Sequence, residues 1–394
     1  MLTLQQSPTE PAFVQNPYPF YDRARAAGPF FRWADYDLIC TPNAAAVNAI
    51  LRDRRFGREA PHEKTPPIPD HLRPFFAVEA HSMLELEPPR HTRLRGLVLR
   101  AFTSRRIAAL APEIAGLAHQ LIDDLPPGPF DFLRHFGQPL PVIIIARLLG
   151  VPESRANDLL AWSNAMVGMY MAGRSRATED RAVAATQAFV AFMRGYVEAR
   201  RDDPHDDLIT HLIAAEQDGE KLTTDELITT CILLLNAGHE ATVHSFGNGV
   251  KALLDHQTPA TALAPEAIEA TVEEILRFDP ALHLFTRWVY EEVEVMGHRF
   301  RRGDQVGLLL AAANRDPGVW DDPARFRPDR PVKPNATFGA GLHFCVGAPL
   351  ARLELQVALP ILFQRLPGLR LVEPPEYADV YHFHGLKRLM LTRG

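Results

Sequence analysis

From about Pro89 to Phe278, apolar residues recur at three- and four-residue spacing, as in RIAALAPEIAGLAHQLIDDL and TQAFVAFMRGYVEAR. That period is the helical one. Residues 1–90 are proline-rich and mixed, and FFRWADYDLICTP within them reads as a short hairpin. From Pro280 to Pro334 the pattern turns irregular, with a strand-like WVYEEVEVMGHRF. A last helix is predicted after Cys345, through LARLELQVALPILFQRL, with strands in the tail. No internal repeat, low-complexity tract or flexible linker interrupts the chain.

One predicted helix stands apart. Thr223 and Glu226 match a capping box, so it starts there and runs TTDELITTCILLLNAGHEATVHSFGNGVKALL. About thirty residues at about 1.5 Å each make roughly 45 Å. Its middle is apolar nearly all round, so it is predicted to be buried. Yet that middle carries Asn236, Gly238, His239 and Glu240. Glycine and polar groups in a buried helix cost stability, and something there must offset the cost. HEATVH invites a zinc reading, but His239 and His244 are five residues apart. At 3.6 residues per turn their side chains diverge by roughly 140°, which weighs against a shared metal.

Composition narrows the class. Of 394 residues, 46% are hydrophobic and 23% charged, as in ordinary globular proteins. A net charge of -6 without long charge runs argues against nucleic-acid binding. Three scattered cysteines, Cys40, Cys231 and Cys345, form neither a disulfide framework nor a zinc pair. They fit a reducing compartment. The N-terminus has no signal-peptide pattern and no apolar run is long enough to span a bilayer, so a soluble cytoplasmic protein is expected.

The segment FGAGLHFCVGAPLAR, Phe338 to Arg352, carries the chemistry. A lone cysteine is most often inert core. Here Gly341 and Gly347 flank it, leaving room for something flat and large beside the thiol. Pro349 and the apolar run place Cys345 just before a helix N-terminus. There the free N–H groups favour thiolate. A thiolate is either a nucleophile, with His343 two residues away as a candidate base, or a soft metal ligand.

Phe338-x-x-Gly341-x-x-x-Cys345-x-Gly347 resembles the haem-binding loop of the cytochrome P450 family. Glu274-Ile-Leu-Arg277 resembles that family's Glu-x-x-Arg helix, and Phe326-Arg-Pro-Asp-Arg330 the meander whose arginine joins it. Ala237-Gly238-His239-Glu240 resembles the oxygen-side motif. PVIIIARLLGVP and ANRDP look like bacterial members. The resemblance implies a mainly α fold with small β-sheets, one large domain over residues 1–394. It would comprise a β-containing part to about 90, a helical core to about 280, and a meander, Cys loop and C-terminal part beyond.

It implies haem b, iron protoporphyrin IX, ligated by Cys345, with Ala237, Gly238, Phe338, Gly339 and Gly347 against it. His91 and Arg95 match a propionate-binding pair one helical turn apart, and Arg287 and His343 match two further contacts. Singly each reads as a solvated basic residue; together they point to one anion site. Glu274, Arg277 and Arg330 are expected to form a buried structural cluster.

The implied activity is monooxygenation, inserting one oxygen atom from O2 into a C–H bond. Glu240, Ala241 and Thr242 are the positions near oxygen. Many members have an alcohol directly after the acid; here it is Ala241, with Thr242 one step on. A helical step turns a side chain by roughly 100°, so proton delivery by water on Glu240 and Thr242, by a substrate hydroxyl, or with peroxide leakage all stay open. The chain ends soon after the last helix, which implies a separate electron donor, ferredoxin or flavodoxin with its reductase. Arg93, Arg100, Arg105, Arg106 and Arg352 are candidate docking residues, or plain surface charge. Peroxide-driven oxygenation, a non-catalytic haem sensor or carrier, and a cysteine-nucleophile hydrolase are rival readings. The resemblance places Leu233, Asn236, Ala237, Leu284, Phe285 and Phe383 near an apolar or aromatic substrate of modest size. Met166, Met169, Tyr170 and Met171 would line a lid, and His283 is a further polar anchor.

Overall fold

In a computed structural model the capped helix forms as expected, spanning Thr224–Asp255. The structure describes residues 1–394 except 172, 173, 218, 382 and 394, and except the side chains of 216, 217 and 220. Thr223 accepts from the Glu226 N–H, and the Glu226 carboxylate accepts in return from the Thr223 N–H at 2.9 Å. This central helix is buried among helices Pro139–Leu149, Arg176–Asp202 and Ile268–Phe278. Gly238 is needed for that packing, since a Cβ there would lie 2.1 Å from Ile145 Cδ1.

The hairpin also forms, pairing Phe31–Trp33 with Leu38–Thr41. It belongs to a six-stranded sheet ordered Thr3–Leu4, Phe31–Trp33, Leu38–Thr41, Gln305–Leu309, Leu284–Val289 and Phe56–Gly57. Thus the irregular segment after Pro280 supplies two inner strands of a sheet begun near the N-terminus. Leu38–Thr41 and Gln305–Leu309 run parallel, with Ile39 opposite Val306. Such pairing over a long sequence separation leaves no local signal. One large core unites the helices, and two smaller ones flank the sheet.

Beside the sheet, helix Ile268–Phe278 carries the expected charged cluster. Arg277 grips Glu274 with two parallel bonds of 2.7 Å, both side chains almost wholly buried. Arg330 Nε reaches the same carboxylate at 3.2 Å. The remaining arginine N–H groups donate to main-chain carbonyls, among them those of Asn314, Pro323 and Asp321. From there the connection runs to the cysteine loop. Asn314 donates to Thr337 Oγ1 at 2.9 Å, and Thr337 donates to the Leu276 carbonyl at 2.7 Å. The residue before Phe338 is therefore tied to the cluster-bearing helix.

Candidate active site

Cys345 sits between a short helical turn, Gly341–His343, and helix Ala348–Arg365. Its N–H donates to the Phe338 carbonyl at 3.0 Å, closing the loop. Gly341 serves a purpose other than the one expected. Its φ is +69°, and a Cβ would fall 2.2 Å from the Leu51 carbonyl oxygen, so it admits neighbouring main chain rather than a flat ligand. Gly347 has ordinary helical φ and only Cys345 Sγ beside it. Burial pushes the Cys345 thiol up, against the N–H groups of Gly347 and Ala348 and the charges of Arg95 and Arg352.

The sulfur faces a cavity of about 1100 Å³, at the upper end of ordinary small-molecule pockets. Cys345, Phe338 and Gly347 share its wall with Leu233, Asn236, Ala237, Gly238, Ala241 and Thr242 of the central helix. Leu284, Phe285 and Phe383 line it, as do Met169, Tyr170 and Met171. His91, Arg95, Arg287 and His343 also reach it.

Four expected residues stand elsewhere. Gly339 takes a turn with φ +67°, where a Cβ would touch the Phe285 ring at 3.4 Å. Met166 is buried behind the wall, with Asn236 Nδ2 3.6 Å from its sulfur. His283 is fully buried against Tyr21, Oη to Nδ1 2.9 Å, so it is no substrate anchor. Burial pushes both His283 and the adjacent His384 below the usual histidine range. Glu240 turns from the cavity to lie between His239 Nε2 at 3.2 Å and His244 Nε2 at 3.4 Å. The two histidines that diverge along the helix thus meet one carboxylate. Burial pushes Glu240 up, but the two adjacent imidazoles outweigh it and hold the carboxyl well below the usual range.

The basic residues around the cavity are not equivalent. Arg287 is buried, and burial together with Arg58 brings it down to about 9. His91 is buried with no hydrogen-bond partner at Nδ1 among the described residues, and burial brings it down to about 4. An anion between them would relieve both. His343 lines the cavity as expected and also holds Glu87, Nε2 to Oε1 at 2.9 Å. Arg95 Nη2 donates to the Phe344 carbonyl at 2.7 Å, bracing the cysteine loop. Ser245, Arg58 and Glu79 line the cavity too. No motif marked them. Ser245 was legible only from its place one turn after Ala241.

A thiol loop, a long helix with an interrupted polar centre and a cationic corner share one chamber. The family model for cytochrome P450 matches residues 266–369. The chain is 37% identical over 385 residues to cytochrome P450 monooxygenase PikC of Streptomyces venezuelae, covering 92% of this chain and 87% of that one. The chain belongs to the cytochrome P450 family. This P450 is also 34% identical to the biotin biosynthesis cytochrome P450 of Bacillus subtilis (strain 168), over 99% of this chain and all of that one. Among solved structures, P450BioI in complex with an acyl carrier protein ligated to hexadec-9Z-enoic acid matches with a TM-score of 0.91 at 33% identity, over 97% and 100% of the two chains.

As a P450 the protein is a haem-thiolate oxidoreductase of the monooxygenase class, a single mainly helical domain. The residues present fit haem. A soft sulfur faces the cavity, and an orphaned imidazole and a buried guanidinium await anions. Among the described residues, no helix is long and apolar enough to cross a membrane.

Proposed function

We propose that this P450 hydroxylates a small apolar or aromatic substrate at a C–H bond, with electrons from a separate ferredoxin- or flavodoxin-type donor. The observation carrying this reading is the shared cavity of about 1100 Å³, lined by the Cys345 sulfur and apolar side chains of the central helix and strand Leu284–Val289. Cys345 would ligate the iron, with His91, Arg95 and Arg287 on the propionates. When bound, the haem supplies reductive dioxygen activation and transfer of one oxygen atom, the other leaving as water.

The chain's own part is to orient substrate and to manage protons. Leu233, Leu284, Phe285 and Phe383 offer apolar contact, and Asn236 offers Oδ1, which lacks a partner among the described residues. Thr242 and Ser245 line the chamber, donating to the carbonyls of Gly238 at 3.0 Å and Ala241 at 2.8 Å. Their hydroxyl hydrogens are engaged, but their lone pairs are open to accept from water. Glu240, outside the lining, acts on protons only through such water.

For docking the donor, three of the five candidate arginines are already paired: Arg93 with Glu226, Arg106 with Asp206 and Arg352 with Glu273. Arg100 and Arg105 are exposed and better suited to an acidic partner. A second reading, peroxide-driven oxygenation, is favoured by Ala241 and by the turned-away Glu240.

The test begins with the reduced carbon monoxide complex, expected to show the displaced Soret band of sulfur ligation. A ligand screen for the Soret shift follows, including fatty acyl chains because of the relative solved with its acyl carrier protein. Product is then sought with a ferredoxin system and with peroxide alone. Product from peroxide alone at the full rate would replace the first reading by the second. Absence of the displaced band would end both.

A further inference from the structure

A second cluster of ligating side chains lies behind the cavity wall. Asp279 and His283 stand on the segment joining helix Ile268–Phe278 to strand Leu284–Val289, and His384 on the C-terminal loop. They are 8%, 0% and 6% exposed. None lines the cavity, although Ala281, Leu282, Leu284 and Phe383 beside them do.

We propose that Asp279, His283 and His384 form a binding site for a zinc-type divalent cation. One donor atom from each lies within 4.8 Å of the others. Asp279 Oδ1 is 3.5 Å from His384 Nε2 and 3.9 Å from His283 Nε2. Bonds of about 2.0–2.2 Å in tetrahedral geometry set ligand atoms about 3.4 Å apart. The two Asp279 separations are within about half an ångström of that spacing, and the two imidazole nitrogens lie at most 4.8 Å apart. His283 Nε2 is buried without a hydrogen-bond partner among the described residues. Such an orphaned nitrogen is costly in a protein interior, and coordination is one way to satisfy it.

The surroundings supply outer support. Tyr21 Oη lies 2.9 Å from His283 Nδ1, which leaves Nε2 for a metal. Tyr18 and Tyr377 donate to Asp279 Oδ1 and Oδ2 at 2.7 and 2.5 Å. Ligating imidazoles and carboxylates are commonly oriented in this way. Two imidazoles and one carboxylate suit zinc and its neighbours rather than calcium or magnesium. The cation would join the strand entry to the C-terminal loop and stiffen the wall that carries Leu284 and Phe383.

Haem-loaded protein is stripped with a chelator, supplied with one equivalent of zinc and desalted. Elemental analysis is expected to find one zinc per haem iron, with a higher melting temperature than the stripped protein. His283→Gln and His384→Gln are expected to lower retained zinc by about tenfold or more while keeping the sulfur-ligated carbon monoxide band. Retention of no zinc by the wild-type protein, as an ordered water in the site would give, overturns the proposal. So does equal retention by both variants. Should a glutamine variant lose the carbon monoxide band, Asp279→Asn makes the same comparison with a smaller change. None of these readouts depends on substrate or turnover.

Discussion

Helix Ile268–Phe278 and the central helix both bury polar residues, and they treat them in opposite ways. Around Glu274, both carboxylate oxygens and the guanidinium groups of Arg277 and Arg330 are bonded to protein. In the central helix, Asn236 Oδ1 and His244 Nδ1 have no partner among the described residues, and Gly238 gives up a side chain altogether. A buried group fully satisfied by protein holds position and has nothing left to offer a ligand. A buried group left open is costly until a ligand or water arrives. The first helix is scaffold for the cysteine loop, and the second is the wall of a reaction chamber.

The largest effect is expected at the sulfur that both regions serve. Cys345→Ser should abolish the displaced carbon monoxide band and turnover, read by difference spectroscopy and product analysis. Next comes the scaffold. Glu274→Ala leaves two arginines buried without their carboxylate, and breaking such a pair costs about 3–5 kcal/mol. Denaturant unfolding should show that loss, with little haem retained. An equally stable variant would mean that the cluster does not brace the loop.

The chamber side should respond less in stability and more in chemistry. Gly238→Ala forces a methyl against Ile145, and overpacking of this kind costs about 1–3 kcal/mol. Ile145→Val in the same chain should recover part of it; no recovery would mean that the contact is not the cause. Ala241→Thr is expected to leave the melting temperature nearly unchanged and to lower the ratio of peroxide to product severalfold, measured per electron consumed. An unchanged ratio would show that position 241 plays no part in proton delivery.

The smallest effect concerns Glu79. Burial and Glu85 raise its carboxyl to about 7 from an ordinary 4.5, against Tyr170 and Arg58. A raised acid in the folded state stabilises below its unfolded pKa. That contribution declines from about pH 4.5 and is lost as pH passes about 7. Melting temperature should therefore decline across that window in the wild type and decline less in Glu79→Gln. Parallel profiles for the two would remove Glu79 from the account.

Much of this was legible in the residues. The capping box at Thr223 and Glu226 and the 3.6-residue period placed the central helix to within a residue. The spacing around Cys345 and the Glu274–Arg277 turn carried the family, because those contacts lie within a few residues of each other. What escaped was set by side-chain direction. Spacing along the helix separates His239 from His244, yet Glu240 between them draws both rings together. Gly341 reads as room for a ligand but admits the Leu51 main chain. The bond from His343 to Glu87, far off in the sequence, left no local signal either.

By itself, then, the order of residues determined the central helix, the helix after Cys345 and the family, since each depends on short-range period or on a compact motif. Tertiary structure alone decided which polar groups are satisfied and which face the cavity. That outcome depends on partners such as Glu87, Arg58, Tyr21 and His384, which are distant in the chain. A hydrogen bond needs its two atoms within about 3 Å, and only the folded chain brings such partners that close.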